Sequence, residues 1–327
     1  MDELRDTPVA VLCGGIGAER EVSLISGEAV YQALATQPDG SKRANVKKII
    51  LTGATDEIAA LKAEYAAGRG IAFLALHGEY GEDGTVQREL EKHGIIYTGS
   101  DAAGSALAMD KSASKRTFSA HQVPVAAGFT VDKNSPAATA SAVLEKMKAE
   151  KIALPVVVKP NGRGSSVGVT IVRDAEQLPG ALEAALKEDT SAIVEQYVHG
   201  TEITVSLLDG EPLPIVELVP QQEFYDYQAK YLADTTQYFC PARLDEATTE
   251  KVRRLAVAGW NALGLRDMAR IDFIIGSEND AGRIIAIEAN TLPGMTSHSL
   301  LPKAAGAAGM DFATLCWKIV ELAKRRK

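Results

Sequence analysis

The sequence predicts an α/β protein that opens on a parallel sheet and continues into a second region with a different layout. Three observations carry this. Short apolar strands alternate with glycine turns and helices through the first third of the chain. An apolar strand at 154–160 ends in a lysine and runs into a loop of glycines and serines. A hairpin over 270–290 sets two carboxylates on one face.

Pro8-Val-Ala-Val-Leu-Cys13 is an apolar strand that enters Gly14-Gly15-Ile-Gly17-Ala-Glu19-Arg20, a glycine turn opening a helix. Arg20 stands where a dinucleotide fingerprint needs its third glycine, and no acidic residue ends a second strand at the right distance, so that motif is incomplete. Glu19 instead lies at the C-terminal end of a strand, where open parallel sheets receive charged ligands, although ordinary helix-start charge reads the same way. Strands at 46–51 and 71–76 follow, and the second leads into His77-Gly78-Glu-Tyr-Gly81-Glu-Asp-Gly84 and a helix from Thr85. His77 shares the edge occupied by Glu19 and can help hold an amino acid, but a lone His after a strand is commonly structural. Ile95-Ile-Tyr97 and a helix from Asp101 close the first domain.

From Met109-Asp-Lys111 the layout changes. Leu154-Pro-Val-Val-Val-Lys159-Pro160 reads as a buried strand, followed by Asn161-Gly-Arg-Gly-Ser-Ser-Val-Gly168. Backbone N–H groups and the Ser165 and Ser166 hydroxyls of such a loop can face phosphate oxygens, with Lys159 as a fixed charge beside them. The spacing is not that of a Walker loop, and plain turns are also rich in Gly and Ser. Ala192-Ile-Val-Glu195-Gln196-Tyr197-Val198 reads as another strand, whose main chain can bond a base while Glu202 reaches ribose hydroxyls. Residues 221–241 form a long aromatic and polar stretch that reads as a lid.

In the hairpin, Ile271, Phe273 and Ile275 alternate with Arg270, Asp272 and Ile274, and Ile285, Ile287 and Ala289 alternate with Ala286, Glu288 and Asn290. Symmetric folding about Asp280 places Asp272 opposite Glu288 and Arg270 opposite Asn290. Two facing carboxylates repel unless a cation joins them, and Asp272, Glu288 and Asn290 offer hard oxygens that suit magnesium. A solvated amphipathic hairpin would have the same alternation. Beyond it, Pro293-Gly294-Met-Thr-Ser-His-Ser299 reads as a turn and helix start able to receive a carboxylate. The last segment, 312–322, reads as an amphipathic packing helix.

At 327 residues, 46% hydrophobic and 24% charged, the chain is a globular protein of two or three domains. Its net charge of −8 argues against a nucleic-acid partner bound through a broad basic face. The closing Lys-Arg-Arg-Lys reads as a solvated helix end. Cys13, Cys240 and Cys316 are odd in number and far apart, which suits core thiols in a reducing compartment. No leader or membrane-length apolar run is visible, so the expected location is cytoplasmic, with no membrane partner.

Read together, the motifs resemble those of D-alanine:D-alanine ligases of the ATP-grasp superfamily over Gly14 to Ser299. They are Gly-Gly-x-x-Ala-Glu-Arg-Glu-Val-Ser at 14–23, Ala-Leu-His-Gly at 75–78, Gly-Glu-Asp-Gly at 81–84 and Met-Asp-Lys at 109–111. Gly-Ser-Ser-Val-Gly at 164–168, Phe-Tyr-Asp-Tyr-x-Ala-Lys-Tyr at 224–231 and Glu-Ala-Asn-Thr-x-Pro-Gly-Met-Thr-x-x-Ser at 288–299 complete the set. Two positions depart from the pattern: Gly17 where such ligases often carry Ser, and Arg163 where they often carry Glu.

The resemblance implies an α/β fold with an N-terminal open parallel-sheet (pre-ATP-grasp) domain, 1–105, and a two-part α+β ATP-grasp module. The parts are a central subdomain, 106–198, and a C-terminal subdomain, 199–327, carrying metal site and lid. It implies ATP-dependent joining of two D-alanine molecules through an acyl phosphate, for peptidoglycan precursors, by a homodimer. Lys111, Lys159, Ser166 and Lys230 would serve the phosphates, Glu195, Gln196 and Val198 the adenine, and Glu202 the ribose. Asp272, Glu288 and Asn290 would hold two Mg2+ ions, with Mn2+ as a substitute. Glu19, supported by His77, would take the first D-alanine ammonium, and Ser165 and Tyr231 would link that pocket to the lid. Arg270 and the Gly294 N–H would stabilise an oxyanion, and Ser299 would hold the second carboxylate. The competing expectations are a D-alanine:D-lactate ligase, against which Lys230-Tyr231 argues, a non-catalytic sensor on the same fold, and an NAD oxidoreductase.

Overall fold

A computed structural model describes residues 2–37, 39–54, 56–220 and 236–326. Its strands form three sheets. The first is fully parallel in the order β2-β1-β3-β4, with β1 Val9–Gly14, β2 Val46–Leu51, β3 Ile71–Leu74 and β4 Ile96–Tyr97. Every residue of β1 and β3 is buried, as expected of parallel strands covered on both faces. At the edge, β2 exposes Lys47 and Lys48 instead, charges that discourage pairing with another chain.

The second sheet is antiparallel, in the order β5-β8-β6-β7: β5 Gly128–Asp132, β6 Val156–Pro160, β7 Thr170–Val172 and β8 Ser191–Gln196. Helices Ala140–Ala149 and Leu178–Glu188 cover one face, burying Val143, Met147, Leu182 and Ala185 with Val156, Val158 and Val194. The valine run of β6 fits this pleated, half-buried surface. The third sheet runs β12-β11-β9-β13-β14 with β10 on β9; these are β9 Gly200–Leu208, β10 Glu211–Pro212, β11 Val216–Pro220, β12 Thr236–Phe239, β13 Met268–Gly276 and β14 Ile284–Asn290. Helix Glu246–Leu263 starts on an Asp245 cap, ends at left-handed Gly264 and buries Val252, Ala256 and Trp260 against this sheet.

The chain ends where it began. Helix Phe312–Arg325 buries Leu315, Cys316, Ile319 and Val320 in the same core as Val9 to Cys13, with Cys13 and Cys316 both free thiols. The terminal basic run is therefore not simply solvated. Arg326 donates to the Tyr97 and Gly99 carbonyls and pairs with Asp267 at 2.7 Å, because the helix end packs over the junction beside β4. The stretch read as a lid is also partly regular, since 236–239 is β12, paired with β11; residues 221–235 lie outside the described residues.

The hairpin β13–β14 has the expected register through the polar positions: Arg270 faces Asn290 and Asp272 faces Glu288. Symmetry then stops. A bulge after Asp272 sets Phe273 opposite Ala286, so Ile287 leaves the buried apolar row and lies half-buried beside Glu288.

Candidate active site

Two cavities meet over this hairpin. The first, about 480 Å³, lies between the second and third sheets and is lined by Lys111, Lys159, Ser166, Glu195, Gln196, Val198, Glu202, Asp272 and Glu288 among others. The second, about 240 Å³, lies between the third sheet and the loops that follow β1 and β3, and is lined by Glu19, Ser165, Arg270, Glu288, Asn290, Gly294 and Ser299 among others. Lys111, Gly164 and Glu288 border both. Groups bound in the two chambers would therefore come together at one ammonium and one carboxylate.

Strands hold the charged floor of the first cavity. Glu195 on β8 is buried between Lys159 on β6, 2.7 Å away, and Lys115 on helix Lys111–Ala120, 2.8 Å away. Burial opposes its charge, yet the two ammoniums hold its carboxyl well below the usual range. The Glu195 carboxylate is thus committed to the lysines, which leaves the strand's main chain to meet a base. Glu217 on β11 similarly receives the Arg243 N–H, Nε and a terminal nitrogen at 3.0, 3.0 and 2.6 Å.

Over the hairpin each carboxylate has a cation. Arg270 grips Asp272 through two hydrogen bonds of 2.8 and 3.0 Å, Thr204 Oγ1 also donates to Asp272, and Lys111 lies 3.2 Å from Glu288. The Asn290 Oδ1 atom is buried and has no hydrogen-bond partner among the described residues. An orphaned hard oxygen beside two opposed carboxylates fits a divalent ion such as magnesium. Among the described residues no group of three His, Cys, Asp or Glu could hold a metal; this trio differs in taking an amide as its third member.

The second cavity is built from loops and helix starts. Gly14, Gly15 and Gly17 all have positive φ, 88°, 80° and 99°, so the strand turns sharply and leaves Glu19 just before helix Arg20–Ala35. Ser23 secures the turn, receiving the Gly14 N–H at 2.8 Å and donating to the Ala75 carbonyl at 2.7 Å. Ser165 Oγ donates to Glu19 and so links the glycine loop to the turn that follows β1. Glu82 also lines this cavity; burial, then the charge of Glu19, push its carboxyl up to about 8 despite the Gly78 N–H at 2.7 Å. Across the chamber, Ser299 begins helix Leu300–Ala307 and receives the Thr296 N–H at 2.9 Å. A Cβ on Gly294 would come 2.6 Å from Ser299 Oγ, so a side chain there would push that hydroxyl off the Thr296 N–H.

His77 is not on the cavity wall. It is buried behind it, 3.0 Å from Ser26 Oγ, and burial lowers its pKa, so the ring is a neutral support beneath Glu19. Lys230 and Tyr231 lie outside the described residues. The sequence reading missed Lys115, Thr204, Glu217 and Arg243. Only Lys115 left a signal, as a lysine one helical turn after Lys111 on the same face.

A family model described as D-ala D-ala ligase C-terminus matches residues 118–321. The chain is 41% identical over 325 residues to the D-alanine:D-alanine ligase of Syntrophotalea carbinolica, covering 99% of each. It is 42% identical over 312 residues to that of Haemophilus influenzae, covering 95% of this chain and 99% of the relative. Its fold is similar to the crystal structure of a Bacillus anthracis D-alanine:D-alanine ligase complexed with ATP, at 32% identity and a TM-score of 0.80 over 97% of both chains. The D-Ala:D-Ser ligase VanG of Enterococcus faecalis is similar at 27% identity and a TM-score of 0.80, covering 97% of this chain and 99% of that one.

Proposed function

Because the chain belongs to the D-alanine:D-alanine ligase family, we infer that it joins two D-alanine molecules with ATP, for peptidoglycan synthesis. The observation that carries this reading is the meeting of a nucleotide-sized cavity and a small acid-lined cavity at Lys111 and Glu288. ATP occupies the larger one, with adenine on the main chain of Glu195 to Val198, ribose on Glu202, and phosphates toward Lys111, Lys159 and Ser166. Lys230 is assigned to the phosphates, and Tyr231 to the pocket beside Ser165, by family resemblance.

In the smaller cavity the first D-alanine places its ammonium by Glu19 and its carboxylate toward the shared border. That carboxylate attacks the γ-phosphorus, ADP leaves, and an acyl phosphate remains. The amine of the second D-alanine, its own carboxylate held at Ser299, attacks the acyl carbon, and phosphate departs. Arg270 and the Gly294 N–H face the oxyanion of that step; one such donor contributes about 3 kcal/mol. Asp272, Glu288 and Asn290 would hold two magnesium ions, which neutralise phosphate charge during transfer. Positioning supplies much of the rest.

The domain division at 105 and 198, a homodimeric state and a cytoplasmic location complete the reading. The first has support, since each of the three sheets falls within one of the three segments. No helix among the described residues is long and apolar enough to cross a membrane. The test is phosphate release and dipeptide formation with ATP, magnesium and D-alanine, L-alanine in its place, and D-lactate or D-serine added. D-alanyl-D-alanine formed with D-alanine alone is expected. ATP turnover without dipeptide, or an ester product preferred over it, would reject the assignment.

A further inference from the structure

The glycine loop between β6 and β7 is the common roof of both cavities, and it is tied to the first domain at two points. Ser165 to Glu19 is one, inside the amino-acid pocket. The other starts from Arg163, which also lines the larger cavity: its guanidinium meets Glu79 through one terminal nitrogen while its Nε donates to the Glu188 carbonyl at 2.8 Å. The main chain of the same residue faces inward, and its carbonyl receives Lys111 Nζ at 2.6 Å. Arg163 therefore fixes where a phosphate-facing ammonium sits.

Glu79 is a firm anchor because its own loop is closely bonded. The Gly78 N–H reaches Glu82 at 2.7 Å, the Tyr80 N–H reaches Asp83 at 3.0 Å, and Gln87 holds the Gly81 carbonyl at 2.6 Å. The roof needs such help. Ser165 and Ser166 adopt φ of 53° and 57°, a left-handed conformation that side chains disfavour, so the loop would relax without outside restraint. Glu79 is absent from the walls of both cavities, so its part in the loop is separable from ligand contact.

We propose that Arg163 and Glu79 form a positioning pair for the ligation, holding the glycine loop closed over both substrates before either binds. This rests on the ligase reading for its kinetic form. A loop that is closed in only a fraction of molecules weakens every ligand beneath it by that fraction, while turnover of the filled site is preserved. The pair is partly exposed, at 37% and 49%, so its effect is a modest factor and is screened by salt.

Glu79→Gln removes the partner charge and leaves Arg163 in place. The expected result is a rise of about three- to fivefold in KM for both ATP and D-alanine at low salt, with kcat changed less than about twofold. High salt shrinks the difference, and Glu79→Arg combined with Arg163→Glu restores low KM. Unchanged KM would overturn the proposal, as would a folded charge-reversed protein that stays weak or a loss confined to kcat and thermal stability. A fall in KM for ATP would also overturn it, making Arg163 a phosphate ligand that Glu79 restrains. Calorimetric binding of a non-hydrolysable ATP analogue to the same variants tests the pair even if wild-type protein forms no dipeptide, so the two readings fail separately.

Discussion

The two chambers handle buried charge in opposite ways. On the nucleotide side the buried charges are matched within the protein: Glu195 lies between Lys115 and Lys159, Asp272 is gripped by Arg270, and Glu217 by Arg243. On the amino-acid side Glu19 and Glu82 share a wall, and neither makes an ion pair among the described residues. The nucleotide chamber is thus a rigid, neutralised floor that presents lysines to a polyanion. The amino-acid chamber carries unmatched acid whose missing partner is a cation, which is the property that would draw in an ammonium.

The contrast is broken most severely at the hairpin. Asp272→Asn removes half of the opposed carboxylate pair and leaves Arg270 without its partner, although Thr204 can still donate. Dipeptide turnover at saturating ATP and magnesium is expected to fall by about three orders of magnitude, far more than the stability lost by leaving buried Arg270 unpaired accounts for. A loss under about tenfold would mean that these oxygens do not organise the phosphates. Next comes Glu195→Gln, which abandons two buried ammoniums. It is expected to cost about 3 kcal/mol of stability in urea unfolding, because an unpaired buried charge is penalised far more than an intact pair contributes. A cost below about 1 kcal/mol would show that water reaches the lysines and that the floor is less rigid than its geometry suggests.

How much of this could be read beforehand follows the same division. Alternation and register were legible: the facing of Asp272 and Glu288 follows from a period of two and a central turn. The bulge was not, because an extra residue in a strand leaves no mark in an apolar run such as Ile284-Ile-Ala-Ile287. Lys159 was legible as a charge ending a buried strand, whereas its union with Lys115 depends on a helix far away in sequence coming to rest on β8 and β14. Glu217 and Arg243 were missed for the same reason. His77 was placed at the correct edge, but whether a side chain lines a cavity or stands behind it depends on rotamer and packing. Arg326 was mistaken for solvated charge, since burial of a chain end is decided by what it packs over.

A third effect tests the unmatched chamber most directly. Burial and the Glu19 charge raise Glu82 from 4.5 to about 8. An acid whose folded pKa is raised holds its proton in the native state while the unfolded chain has released it. Its contribution is therefore complete below pH 4.5 and declines as pH rises to about 8. Glu82→Gln cannot lose a proton, so it should gain on wild type by about 3 kcal/mol between pH 5.5 and pH 9 in urea unfolding. D-alanine sharpens the test. Its ammonium would supply the missing cation, favour ionised Glu82 and flatten the wild-type dependence, while leaving the variant unchanged. If wild type and variant run parallel from pH 5.5 to 9, the amino-acid chamber is already neutralised and the contrast with the nucleotide floor fails.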